Sequence, residues 1–188
     1  VFMTNDLFTA FPEIETDNLI LREIMPEDRD AIYAIFGDEE VTRYYDLATM
    51  RTRKEADELI DFFDERFETE SMIRWGITRK DDDVVIGTCG YVLLHRHRGE
   101  IGYDLLHSEW GKGIMAEALD AIIDFGFSDM GLHRVEAMVM AENMASTRLL
   151  QKLGFTQEGT LRDYDYFKGA FHDMQCFSLL KHEYYQEH

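Results

Sequence analysis

A chain of 188 residues, 45% hydrophobic with only two prolines, is long enough for one buried core and is neither disordered nor collagen-like, so a single domain over residues 1–188 is expected. Its formal net charge of -19 and lack of a basic stripe repel polyanions, which excludes nucleic acid as a partner and suits a cationic substrate better. No apolar run nears the roughly 20 residues that cross a bilayer, and the opening VFMTNDLF lacks a secretory leader's pattern; a cytoplasmic protein with no membrane partner is expected, with Met3 as its natural start.

In chain order, NLILREI (Asn18 to Ile24) alternates as a short strand, and PEDRDAIYAIF opens with Pro26 and acidic residues before an apolar face at Ile32, Ile35 and Phe36, which predicts a helix. RKEADELIDFFDERFE repeats apolar residues at helical spacing through Ala56, Leu59, Ile60, Phe63 and Phe67. MIRWGITRK and VVIGTCGYVLLH read as strands around Asp81, Asp82 and Asp83, a charge run that suits a solvated hairpin turn. After a second turn at RHRG comes the strand EIGYDLLH. His95 and His97 alternate beside arginines and lack further ligands, so no metal site is expected. Cys89 and Cys176 sit in apolar runs and read as small hydrophobes in a reducing compartment.

From Gly113 a helical stripe runs through Met115, Leu119, Ile122, Ile123 and Phe127 toward Gly131. The strand RVEAMVM follows, then a short helix with Asn143 placed to cap its start and Gly154 to end it, then two closing strands. The order predicts an α+β (mixed α/β) domain around a largely antiparallel seven-stranded sheet flanked by about four helices.

HSEWGKGIMAEALDA places two glycines around Lys112 at the start of a predicted helix. A helix N-terminus has unpaired N–H groups and a partial positive charge, so Gly111, Lys112 and Gly113 suit either a phosphate cradle or a plain tight turn. It is not a Walker A loop, because the spacing and the Lys-Ser/Thr ending are missing.

Together with the later NMASTRLLQKLGF, this loop resembles the GNAT acetyltransferase superfamily, and within it the ribosomal-protein N-terminal acetyltransferases of the RimJ/RimL branch. LILREIMPEDRDAIYAIF, IGTCGY, EIGYDL, WGKGIMAEAL, HRVEAMVMAENMASTRLLQKLGFTQEGTLRD and FHDMQCFSLL carry the likeness in order along most of the chain. It implies a splayed strand pair and a pyrophosphate site for acetyl-coenzyme A on the backbone from Trp110 through Gly111, Lys112, Gly113, Ile114, Met115 and Ala116. Met115 departs from the pattern, where Gly or Ala is usual. The pantetheine arm would bond the backbone of Leu105 and Leu106. Asn143 matches an asparagine that contacts the pantetheine region, and Ser146 a serine proposed to protonate the departing thiolate. Their bland alternatives are a helix cap and a solvated first-turn residue.

The implied reaction is acetyl transfer to a primary amine by direct attack, with a protein N-terminal α-amine as the expected acceptor. A polyamine or other small amine is an alternative, as is a non-catalytic acyl-coenzyme A-binding module, and a homodimer is left open. An α-amine with a pKa near 8 is roughly a tenth neutral at pH 7, whereas a lysine near 10.4 is neutral about once in several thousand. A backbone N–H at Leu105 would steady the carbonyl oxygen, worth about 3 kcal/mol in the transition state. Proton transfer through Ser146 would add about 10²-fold. Glu100 and Asp104 share one face of the strand before the loop, and Glu100, acting through water, is the expected base. Tyr164, Tyr166 and Asp173 fall in the closing segment that borders the substrate site in the family.

Overall fold

The computed structural model describes residues 7–187, so Met3 lies outside the described residues. Their strands form one sheet in the order β1-β2-β3-β4-β5-β6-β8-β7. These are β1 (Ile14–Glu15), β2 (Leu19–Arg22), β3 (Ile73–Arg79), β4 (Asp82–His95), β5 (Arg98–Leu105), β6 (Arg134–Met140), β7 (Thr156–Phe167) and β8 (Ala170–Leu180). The helices are α1 (Arg29–Phe36), α2 (Glu39–Thr42), α3 (Arg53–Glu68), α4 (Ile114–Ser128), α5 (Met144–Lys152) and α6 (Lys181–Glu187). The described residues thus hold eight strands and six helices, where seven and about four are expected from the sequence. The additions are β1, α2 and α6, two to seven residues long and too short to show a period. No helix among the described residues is long and apolar enough to cross a membrane.

Every neighbouring pair is antiparallel except β5 and β6. A parallel pair needs a crossover, and α4 supplies it. The aspartate run does not form the turn as a block: Lys80 and Asp81 make the corner, Asp82 already pairs with Arg79, and Asp83 binds Arg22 at 2.7 Å.

Period-two alternation sends two sets of side chains to opposite faces. One face packs Trp75, Ile77, Tyr91, Ile101, Val135, Ala137 and Phe177 against α4, with Leu150 of α5 and Tyr184 of α6 completing the core. The other packs Ile24 and Val85 against α1 and α3. A smaller cluster joins Met140, Phe167 and Met174 to Tyr44 and Met138. Above it the β7–β8 hairpin tip is tied to α2, because the Lys168 ammonium donates to the Thr42 carbonyl.

Helix α4 is fixed at its first turn and at its middle. Near its start the Glu117 carboxylate accepts from Thr16 Oγ1, from the Asn18 amide at 2.8 Å and from Asn18 Nδ2 at 3.1 Å, which ties the first turn to the β1–β2 hairpin. Further along, the Tyr91 hydroxyl donates to the Ile122 carbonyl at 2.8 Å from within the core. That ring leaves no room for a side chain at Gly126, where an added Cβ would stand 2.0 Å from Tyr91 Oη. Gly126→Ala is therefore expected to destabilise the fold by about 1–3 kcal/mol through overpacking, seen as a lower urea midpoint at unchanged m-value.

Candidate active site

Strands β5 and β6 pair only at Arg98 with Arg134, Gly99 with Val135 and Glu100 with Glu136, although β5 continues to Leu105 and β6 to Met140. Both stay paired on their outer sides, β5 with β4 and β6 with β8. A gap therefore opens inside the sheet, flanked by main-chain groups with no strand opposite.

Main-chain groups alternate sides along a strand. The Leu106 amide donates to the Ile86 carbonyl at 2.9 Å, away from the gap, so the Leu105 N–H and C=O face into it. The Leu105 carbonyl accepts from Trp110 Nε1 at 2.8 Å. Leu105 thus presents its N–H to the gap, whereas the Leu106 N–H is already committed.

Below the gap the chain turns through His107–Glu109 into the Trp110–Ala116 loop. The Trp110 indole packs against His107 in a tilted pair, with ring centroids 4.4 Å apart. Gly111 and Gly113 both take left-handed conformations, at φ 74° and 82°, which a residue with a Cβ adopts at a cost of roughly 1–2 kcal/mol. Gly113 is the N-cap of α4 and offers no side-chain cap. The first-turn amides at Ile114, Met115 and Ala116 thereby keep their affinity for an anion. Lys112 is half exposed and rests on Glu109 at 3.1 Å, which also pairs with Arg79. Met115 is buried in the core against the sheet, so its side chain does not stand over the helix start.

Asn143 does cap α5, its Oδ1 accepting from the Ser146 amide at 3.1 Å. The cap uses the oxygen and leaves the Nδ2 amino group as its donor to a ligand. Ser146 lies in the first turn of α5, and its hydroxyl bonds to the Tyr103 hydroxyl. Tyr103 on β5 was not legible as a site residue. Only its place two residues before Leu105, on the α5 side of the sheet, hinted at it.

The two carboxylates of β5 have different fates. Asp104 is buried and forms an ion pair with Arg74 of β3, whose Nε also donates to Thr88 at 3.0 Å. Burial pushes its carboxyl up to about 6 against the pull of the guanidinium, a value that suits a base, but with 3% of its side chain exposed it has no path to a substrate. Glu100 stands at the last paired rung, where the gap begins. Burial raises its carboxyl above the usual range, and the facing Glu136 adds to this. Glu136 is neutralised by Arg134 and by Arg98 at 3.5 Å, whereas no hydrogen bond or ion pair joins Glu100 to another described side chain. Tyr164 and Tyr166 are exposed on β7, and Asp173 binds the Asp163 amide at 2.8 Å within that hairpin. Both cysteines are free, Cys89 buried and Cys176 partly so.

Residues 18–156 match the family model described as Acetyltransferase (GNAT) domain. The uncharacterized N-acetyltransferase YoaA of Bacillus subtilis (strain 168) is 43% identical over 173 residues, covering 91% of this chain and 98% of that protein. The [ribosomal protein uS5]-alanine N-acetyltransferase of Escherichia coli (strain K12) is 33% identical over 106 residues, 55% of each chain. In fold, the spermidine N-acetyltransferase from Vibrio cholerae in complex with CoA and spermine superposes with a TM-score of 0.78 at 19% identity, covering 90% of this chain and 99% of that one.

Glu100 makes a pH-dependent contribution to stability. Its folded pKa lies above its unfolded value, so the stability it lends is complete below the unfolded pKa and is lost as pH rises through the folded one. Glu100→Gln is therefore expected to raise the melting temperature at pH 7, with the gain closing toward pH 4; equal shifts at both pH values would contradict a strained carboxylate.

Proposed function

The chain belongs to the GNAT acetyltransferase family and is an N-acetyltransferase, and on that premise we propose that it acetylates protein N-terminal α-amines from acetyl-coenzyme A. The observation that carries the proposal is the gap between β5 and β6, with the Leu105 N–H turned into it and the uncapped start of α4 below. These features fit the donor. Backbone amides from Lys112 to Ala116 would hold its pyrophosphate, and the free edge of β5, with Asn143 Nδ2, would hold the pantetheine arm. The buried Met115 side chain leaves those amides clear.

When bound, acetyl-coenzyme A supplies an acetyl group activated as a thioester. The Leu105 N–H would donate to the carbonyl oxygen as charge builds there. On the face where Glu100 stands, its carboxylate would take the amine proton through water, and its raised pKa makes it a stronger base for that step. On the opposite face Ser146 would protonate the leaving sulfur. Base and acid thus reach the same opening from two sides of the sheet.

For the acceptor, the relative at 33% identity that acts on the alanine of ribosomal protein uS5 supports an N-terminal amine. The 19% likeness to a spermidine enzyme speaks for the fold alone. A polyamine is the second reading, favoured by the net charge of -19 and by the unpaired Glu100 carboxylate at the gap.

The test follows free coenzyme A while the protein turns over acetyl-coenzyme A with peptides beginning with Ala or Ser, and separately with spermidine. Faster release with the peptides is expected; release with spermidine alone would transfer the assignment to polyamines. Ser146→Ala is expected to lower kcat about 10²-fold with little change in KM for the donor, and an unchanged kcat would remove Ser146 from the chemistry.

A further inference from the structure

Serine is a poor acid for the step given to Ser146. An aliphatic hydroxyl is about as weak an acid as water, far weaker than a free thiol, which sits near 8.5. Donating to a thiolate alone would leave an alkoxide well uphill of the thiol. Something has to supply the serine as it gives its proton away.

Among the described residues, one group hydrogen-bonds to that hydroxyl. Tyr103 Oη bonds to Ser146 Oγ, joining the strand on one side of the gap to the helix that follows the strand on the other. No other hydrogen bond to a described side chain claims the Tyr103 hydroxyl. Asp104 next to it points to the opposite face and is consumed by Arg74.

We propose that Tyr103 is a positioning residue for thiol departure: its hydroxyl donates to Ser146 Oγ and passes it a proton as Ser146 gives its own to the sulfur. The inference rests on the Ser146 role proposed above. In balance, the amine nitrogen forms its bond to the acetyl carbon and the C–S bond breaks. The sulfur takes the Ser146 proton, Ser146 takes the Tyr103 proton, and the phenolate regains one from the proton that the amine releases through Glu100 and water. Burial pushes the Tyr103 phenol up to about 12, so it stays neutral and keeps its proton at working pH. A phenol is a stronger acid than an aliphatic hydroxyl, so the phenolate it becomes lies a shorter climb above the thiol than the alkoxide serine would form alone.

The test uses Tyr103→Phe, which keeps the ring in place, beside Ser146→Ala, Ser146→Thr and the double variant Tyr103→Phe/Ser146→Ala, all checked for wild-type melting. Tyr103→Phe is expected to lower single-turnover kcat about tenfold or more at unchanged KM for acetyl-coenzyme A. The double variant is expected to be no slower than Ser146→Ala, and Ser146→Thr, which keeps a hydroxyl for Tyr103, to retain more activity than Ser146→Ala. In mixed H₂O and D₂O the wild-type rate should bow with deuterium fraction, reporting two protons in flight, and the bow should straighten in Tyr103→Phe. Independently of turnover, ultraviolet titration of the thiolate of bound coenzyme A should show a lower thiol pKa in the wild type than in Tyr103→Phe. A wild-type rate in Tyr103→Phe with a slow Ser146→Ala overturns the relay and leaves the proposed function standing. Wild-type rates in both remove Ser146 and the relay together. Additive losses in the double variant, or an unmoved thiol titration, show that Tyr103 acts elsewhere and also overturn it.

Discussion

The site depends on a parting of two strands. Sheet pairing holds β5 to β4 over eight rungs and β6 to β8 over seven, yet the two inner strands share only three. Main-chain donors and acceptors are obligatory bonding groups, so an edge opened within a sheet, rather than at its rim, asks for a partner of extended shape. A thin chain carrying amides meets that demand with the same chemistry a strand would use. The reactive end of such a chain is then held by the element that holds the fold together.

Something has to keep β5 from following β6, and the buried pair of Arg74 and Asp104 is placed to do it. It spans from β3 to β5 across β4, with Thr88 on the strand between bonded to the same guanidinium. Gly102 leaves the passage clear, because a Cβ there would stand 2.9 Å from Arg74 Nη1. A buried pair of this kind gains little net stability over an apolar one, but it is costly to break by halves. Its effect is therefore on where β5 runs more than on how firmly the domain folds.

Much of this was legible before any coordinates. Helical spacing in α3 and α4 and alternation in β3 to β6 follow from which side chains must be buried, and Gly154 takes the left-handed φ of 83° that its place after α5 suggested. The short elements were not legible, because two to seven residues carry no period. Glu100 and Asp104 share a face and a residue class, and nothing along the chain separates them. Only the fold reveals that Arg74, 30 residues away, takes one and leaves the other. Tyr103 was missed for a related reason, since its importance lies in a contact with a residue 43 positions on. Local pattern reports what a residue is next to in the chain, and chemistry depends on what it is next to in space.

Met115 shows how a motif written in letters can mislead. Its side chain is turned into the core, and the backbone at Gly111 and Gly113 makes the turn. The position thus answers to the volume available under α4, while Gly113 answers to the sign of a torsion angle. Substitution at the first is limited by the packing of the core, and at the second it is resisted by chirality itself. A signature for such loops that scored torsional need and core volume separately would admit chains that a fixed string of amino acids turns away.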